Sequence, residues 1–262
     1  MSKLIEEKPE TSVSNAYEPI KLKTAYDYLN RLSFTVNGTS TKTLELLSSD
    51  AICLIGESTM TNIMLTKIAV HCLMPKKYGG FKNSKVFILD AGNCTDVYQF
   101  VDFMKQYGLN IKKAMRKIMI SRVFTVYQLT HFLKYELVKT VHEYRTNIVI
   151  IPDLLSMFLQ EPEIDVDEVE LLIREVIEVL KLVSVKSKAL LITSLSLNNK
   201  SFPYHYKLAK TVLEIFNKTI EIDKNKTNDK FKILLHEKQG ANYVTVKKYL
   251  SLTPDDVLTV IR

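Results

Sequence analysis

The stretch Ala51-Ile52-Cys53-Leu54-Ile55, then Gly56-Glu57-Ser58-Thr59-Met60, then Thr61-Asn62-Ile63 decides how the rest of the chain is read. Its first five residues form a short apolar strand, and Gly56 and Glu57 open a turn. Thr61–Leu73 then has helical periodicity. Ile63, Ile68 and His71 fall near one face and Leu65, Ala69 and Cys72 near another. A helix apolar over that much of its circumference is predicted to be buried. A strand apolar on both faces that feeds a buried helix is the building unit of a mainly parallel sheet covered on both sides.

Outward from this unit the alternation continues. Lys85–Leu89 reads as a strand, Asp96–Tyr107 as a helix stopped by Gly108, and Ile118–Phe124 as a strand. Val126–Tyr144 reads as a long helix, Asn147–Ile151 as a strand ending at Pro152-Asp153, Val166–Val183 as a long amphipathic helix, and Ala189–Thr193 as a buried strand. His205–Asn217 is helical in pattern. Thr219–Asp223, Phe231–Glu237 and Tyr243–Lys247 then form an antiparallel C-terminal meander joined by hairpin-type connections. Before the opening strand, residues Tyr17 to Thr43 mix short helical and turn signals, with a turn at Asn37-Gly38. Met1 to Ala16 reads as a flexible tail, so the expected organisation is a tail over 1–16 and one core domain over 17–262.

Composition bounds the function classes. The chain has 262 residues, 46% hydrophobic and 25% charged, which suits a globular α/β core without disulfides. No apolar run reaches the roughly 18–20 residues that span a bilayer, so no membrane partner is expected. The three cysteines, Cys53, Cys72 and Cys94, have no CxxC spacing and read as buried free thiols. The five histidines show no HxxxH or HExxH spacing, so no metal site is expected. A net charge of +7 favours polyanions, nucleic acid first among them.

Ligands of such sheets sit beyond the carboxyl ends of the strands, and residues 56–63 stand where a phosphate-binding loop would. A working loop reads GxxxxGK[ST]: glycines let backbone amides wrap phosphates, the lysine reaches them, and the hydroxyl holds magnesium. Here only Gly56 remains. Thr61 stands for the second glycine, Asn62 for the lysine and Ile63 for the hydroxyl residue.

Five further segments extend the comparison: Gly56-Glu57 before a helix, Cys72-Leu73-Met74-Pro75, Gly79-Gly80, Lys85 to Asp90, and Gln106-Tyr107-Gly108-Leu109. With Ile120 to Phe124, Ile148 to Phe158 and Leu190 to Ser194, they resemble in order the core of the RecA-like recombinases. The likeness is to the archaeal RadA branch and its eukaryotic counterparts and paralogues, over roughly Leu47 to Lys247. It implies a RecA-like P-loop-type α/β fold.

The chain departs from the family pattern in one direction. The family's catalytic Glu, two residues after Asp90, is matched by Gly92. The Walker B acid is matched by Pro152, with Asp153 one place late. A one-residue offset turns a strand side chain to the other face, unless a bend at Pro152 restores it. The polar sensor after Thr193-Ser194 is matched by Leu195. Gly56, Glu57, Thr61, Asn62, Ile63, Asp90, Gly92 and Asp153 are therefore expected to be a degenerate nucleotide site without ATP turnover; no cofactor is expected, with ATP binding without hydrolysis as the alternative.

In the family, two loops contact DNA. The first corresponds to Leu159–Glu168, which is acidic here; it reads as a loop whose acids favour the N-terminus of the next helix, or as a site for a basic partner. The second runs from Ser196 to Lys207. Its candidates for single-stranded DNA are Lys200, Phe202, Tyr204, His205, Tyr206 and Lys207, with Lys210 just beyond: cations for phosphates and rings for bases. Two other basic groups stand apart, at Lys112, Lys113, Arg116 and Lys117, and at Lys224, Lys226, Lys230, Lys247 and Lys248. The resemblance implies a non-catalytic recombinase paralogue that binds a recombinase, another paralogue or single-stranded DNA, in the cytoplasm or nucleoid if archaeal and in the nucleus if eukaryotic. The alternative is a non-hydrolysing structural subunit of a KaiC-like or archaellum-motor assembly.

Overall fold

The computed structural model describes residues 31–35, 43–81, 84–160, 164–186, 189–196, 203–224, 231–240 and 242–252. A hairpin of β1 (Arg31–Thr35) and β2 (Thr43–Leu47) comes first. The unit that opened the sequence reading follows as β3 (Ala51–Gly56) and α1 (Ser58–Cys72). Next come β4 (Val86–Asp90), α2 (Val97–Gln106), α3 (Ile111–Met115), β5 (Ile118–Arg122), α4 (Val126–His131), a π-helical turn (Phe132–Glu136) and α5 (Leu137–Tyr144). The chain continues through β6 (Ile148–Ile151), α6 (Ser156–Gln160), α7 (Val166–Lys186), β7 (Leu190–Ser196) and α8 (Pro203–Leu213). It closes with β8 (Lys218–Lys224), β9 (Phe231–Gln239) and β10 (Asn242–Leu252).

Eight strands form one sheet in the order β10-β9-β8-β3-β7-β6-β4-β5. The run from β8 to β5 is parallel; β9 is antiparallel to both β8 and β10. This is the α/β class expected, a mostly parallel sheet with an antiparallel meander at one edge.

The order of the strands explains where the helices go. Parallel crossovers are right-handed, so connections running in opposite directions along a sheet pass over opposite faces. β3 to β4 and β4 to β5 run one way; β5 to β6, β6 to β7 and β7 to β8 run the other. Accordingly α1, α2 and α3 pack with Ile52, Leu54, Ile88, Ile150 and Ile192 on one face. α4 through α8 pack with Cys53, Ile55, Leu89, Ile151 and Leu191 on the other. Alternate residues of β3 serve the two cores, which is why the strand is apolar throughout.

Local caps hold as the sequence implied. Asp96 accepts the Tyr98 amide at the start of α2 (2.8 Å). At its end Gly108 has φ +66 and the Leu109 amide reaches back to the Met104 carbonyl (2.9 Å), a Schellman closure. The single helix expected over 126–144 is interrupted by the π turn.

Three expectations need correction. Residues 17–43 carry strand β1, not only helical and turn signals; Asn37-Gly38 lies outside the described residues. β1 is held by tertiary contacts: the Ser33 amide donates to the Gly79 carbonyl (3.0 Å) and His71 Nε2 lies 3.0 Å from the Ser33 carbonyl. A Cβ at Gly79 would come within 2.2 Å of that same carbonyl, so the Gly79-Gly80 loop is explained by close backbone approach. α1 begins at Ser58, three residues earlier than the expected Thr61, because Thr59, Met60 and Thr61 carry nothing that resists helix. The last helix of the series is shifted the other way, Pro203–Leu213 in place of 205–217. A proline fits a first helical position.

Candidate functional site

The connections reverse direction between β3 and β7, and again between β6 and β4. Such reversals open a crevice at the carboxyl ends of the strands. The side chains there come from the turn after β3 (Glu57, Ser58), the turn after β6 (Pro152, Asp153), the end of β7 (Ser194, Ser196) and the loop after β4 (Gly92, Cys94, Thr95).

The chain itself fills this crevice. With α1 starting at Ser58, residues 58–63 are helix rather than a phosphate-wrapping loop. The Thr61 amide donates to the Glu57 carbonyl (3.0 Å), and buried Thr61 donates its hydroxyl to the Ser58 carbonyl (3.0 Å). Glu57 is exposed at the N-cap, with extended backbone and no side-chain cap bond. Asn62 and Ile63 are half-buried, Ile63 packing on the core. Gly56 is buried, and a Cβ on it would sit 2.8 Å from the backbone oxygen of Ile222 on β8. Strand packing alone therefore requires this glycine.

Asp153 is the most unusual residue of the site. Its φ is +44, a left-handed conformation that costs a non-glycine residue about 1–2 kcal/mol. The chain leaves β6 at Ile151, so strand alternation no longer governs position 153, and the bend at Pro152 returns the side chain to the crevice. Ser58 Oγ donates to one carboxylate oxygen (3.4 Å) and the Ser196 amide to the other (3.4 Å). The Asp153 amide donates to Ser194 Oγ (2.9 Å) and the Leu154 amide to the Ser194 carbonyl (3.2 Å). One residue thus ties the start of α1 to the end of β7. The carboxylate lies at the N-terminus of α1, whose first turn holds no acid, and a helix N-terminus favours an anion. Burial nevertheless pushes the Asp153 carboxyl above its ordinary value, while the bonds from Ser196 and Ser58 act the other way.

Gly92 faces Asp153. A Cβ there would meet Asp153 Cβ at 3.0 Å and both Cys94 Sγ and Ser156 Oγ at 3.3 Å, so a glutamate at 92 has no room while Asp153 keeps this position. Asp90 is fully buried and fully engaged. It accepts the Cys94 amide (3.0 Å), the Thr95 amide (3.3 Å) and Arg122 Nε (3.1 Å). Its work is to hold the loop after β4 and pair with Arg122. Leu195, at the sensor position, is buried in the core.

Beside Asn62 lies a cavity of about 10 Å³, lined by Asn62, Thr66, Cys94, Thr95 and Pro152 among others. That volume is about one water molecule, not a phosphate. The oxygens Asn62 Oδ1, Thr95 Oγ1 and Ser156 Oγ are buried without hydrogen bonds among the described residues. Cys94 is half-buried rather than buried. Burial first, then the charges of Asp90 and Asp153, push its thiol up to about 12, so it is a poor nucleophile. Cys53 and Cys72 are buried. Among the described residues no group of three or more His, Cys, Asp or Glu side chains is arranged to hold a metal ion, and no helix is long and apolar enough to cross a membrane.

The DNA-contact candidates fare unevenly. Lys200 and Phe202 lie outside the described residues, as does the side chain of Tyr204. His205 is half-buried and Tyr206 exposed in the first turns of α8. Lys207 is ion-paired with Glu170 of α7, which leaves Lys210 exposed without an ion pair among the described residues. In the acidic segment, Asp165 accepts the Val166 amide (2.8 Å) and Asp167 and Glu168 occupy the first turn of α7. That is the helix-start role. Sequence reasoning did not find Ser58, Ser194 or Ser196 as partners of Asp153; a serine two residues past the strand glycine was the available signal for Ser58. No protein-family model matches the chain.

Proposed function

We propose that this chain is a non-catalytic relative of the RecA-like recombinases, with a RecA-like P-loop-type core, that assists homologous recombination or DNA repair. On this reading it binds a recombinase or another paralogue, single-stranded DNA, or both, and neither binds nor turns over ATP. The observation that carries the reading is the Asp153 carboxylate at the N-terminus of α1. It accepts from Ser58 Oγ at the first residue of α1 (3.4 Å), the end of the helix that a phosphate would approach. A phosphate brought there would meet a buried negative charge rather than a lysine. Further support is that each lost catalytic position has a packing or hydrogen-bonding role of its own: Gly56 against Ile222, Gly92 against Asp153, and Asp90 with Arg122.

The test has two arms. Titration with a fluorescent ATP analogue and magnesium is expected to show no saturable binding up to millimolar concentration, and turnover is expected to stay at background. Co-purification from the native source is expected to bring a recombinase. Saturable nucleotide binding lost in Asp153→Ala would sink the non-nucleotide claim; a motor or clock ATPase as the partner would replace the recombination claim.

A further inference from the structure

At the carboxyl end of the sheet, Arg122 is paired with Asp90 and Lys207 with Glu170. At the amino end, half-buried Lys85 and Lys117 directly precede β4 and β5, and Arg145 stands three residues before β6. Lys85 and Lys117 are direct neighbours: the Val86 amide donates to the Lys117 carbonyl (2.9 Å) and the Asn147 amide to the Lys85 carbonyl (3.0 Å). Adjacent strands are about 4.8 Å apart, so these two stand close together. Lys112, Lys113 and Arg116 are exposed on and just after α3, and Arg145 is exposed at the end of α5. None of these six is ion-paired among the described residues.

We propose that this amino-end rim binds the phosphate backbones of duplex nucleic acid. The cations stand on both sides of the sheet, since α3 packs on one face and α5 on the other. They can therefore reach two backbones across a groove about 12 Å wide. Strand ends and a helix capped by Asn110 on the Lys113 amide (3.0 Å) hold them in place, so little ordering cost opposes binding. The second basic group does not extend the rim. Lys224 closes β8 at the opposite end of the sheet, five strands from β5, roughly 24 Å away across the strands alone. Phosphate contacts of this kind carry no base specificity. Binding at this rim needs no recombinase partner and lies away from the α8 segment.

The experiment uses the purified full chain and a 20-base-pair duplex, followed by fluorescence anisotropy as salt is raised. Six phosphate contacts predict a slope of log K against log salt of about −5 and roughly a 10³-fold loss between 50 and 200 mM salt. The triple variant Lys112→Ala, Lys113→Ala, Arg116→Ala is expected to halve that slope and cut the salt-driven loss to about 40-fold, with an unchanged circular dichroism spectrum. Lys207→Ala with Lys210→Ala is expected to bind as the parent does. No binding by the parent at 50 mM salt, an unchanged slope in the triple variant, or the loss appearing in the Lys207/Lys210 variant would each overturn the proposal. So would a poly-glutamate peptide that binds the rim more tightly than the duplex does, which would make an acidic protein its occupant.

Discussion

Gly56→Ala separates a glycine kept for phosphate from one kept for packing. The added Cβ would lie 2.8 Å from the Ile222 backbone oxygen, 3.3 Å from Ile222 Cβ and 3.4 Å from Thr61 Cγ2. The first contact is with backbone of a strand already hydrogen-bonded to β3 from Ile52↔Lys218 to Ile55↔Glu221, so it cannot be relieved by a rotamer. Either the end of β8 moves off β3 or the turn into α1 shifts. Overpacking of this kind costs about 1–3 kcal/mol. At roughly 2–4 °C per kcal/mol for a chain of this length, the melting temperature should fall by about 2–12 °C. Urea unfolding followed by far-UV circular dichroism reads the change as a lower midpoint at constant slope. Two other glycines calibrate it. At Gly92 a Cβ meets side-chain atoms at 3.0–3.3 Å that can shift by tenths of an ångström, so Gly92→Ala should fall near the low end, about 1 kcal/mol. At Gly108 nothing lies within 4 Å, but φ is +66, and the backbone alone costs about 1–2 kcal/mol. A Gly56→Ala variant within about 0.5 kcal/mol of the parent, the ordinary scatter of surface changes, would refute the packing explanation and leave the phosphate-loop ancestry as the reason for this glycine.

Four more outcomes can be checked. Asp50 and Lys218 are a buried pair (2.6 Å) in which Asp50 also accepts the Leu47 amide and Asn217 Nδ2; Asp50→Ala should lose about 3–5 kcal/mol in urea unfolding, and Asp50→Leu with Lys218→Met should recover most of it. Asp153→Asn can still accept from Ser196 and can donate to Ser58. Because burial raises the folded Asp153 pKa, the folded state binds the proton more readily than the unfolded state, and the ionised carboxylate weakens folding at neutral pH. The Asn variant should therefore be the more stable at pH 7, with the gap closing as pH falls through the folded pKa; a gap that widens on acidification would show the sign to be wrong. All three thiols should resist a thiol reagent at pH 8 in the folded protein and react fully once it is unfolded. For Cys94, a pKa of about 12 leaves roughly 10³-fold less thiolate than a free cysteine has at that pH; rapid labelling of one thiol would contradict the burial. Rebuilding the loop with Thr61→Gly, Asn62→Lys and Ile63→Thr should lower stability by about 2–4 kcal/mol through lost helix and core contacts without creating ATP binding.

The order of strands from β3 to β10 and of the longer helices between them was legible because hydrophobic period is a local property; the five-residue α3 and α6 were too short to show one. A strand apolar on both faces, such as Ile52 to Ile55, has to be covered twice wherever it sits in the sheet. That residues 61–63 lack the glycine, lysine and hydroxyl of a phosphate loop was equally plain. Other features were not local. The hairpin of β1 and β2 was missed: beyond their pairing with each other, β1 is fixed by Gly79 and His71, about 40 residues away. The start of α1 at Ser58 was missed because the apolar periodicity that marks the helix begins only after Thr61, whereas Thr59, Met60 and Thr61 are free to be helical once Thr61 can bond back to Ser58. The return of Asp153 to the crevice depends on one left-handed residue after Pro152, and two serines on β7, 41 and 43 residues later, help hold it there.

By itself, then, the sequence determined an alternating α/β chain, a meander at its end, and a segment at 56–63 without the chemistry of a phosphate loop. The tertiary structure decided what stands in place of that chemistry. Strand order sets which ends share a crevice, and Asp153 occupies it with the protein's own carboxylate. The same order gathers Lys85, Lys117 and their neighbours into one rim and sends Lys224 to the far corner. Charge is counted along the chain, but whether a cation is paired or free depends on which segments the sheet brings within a few ångströms.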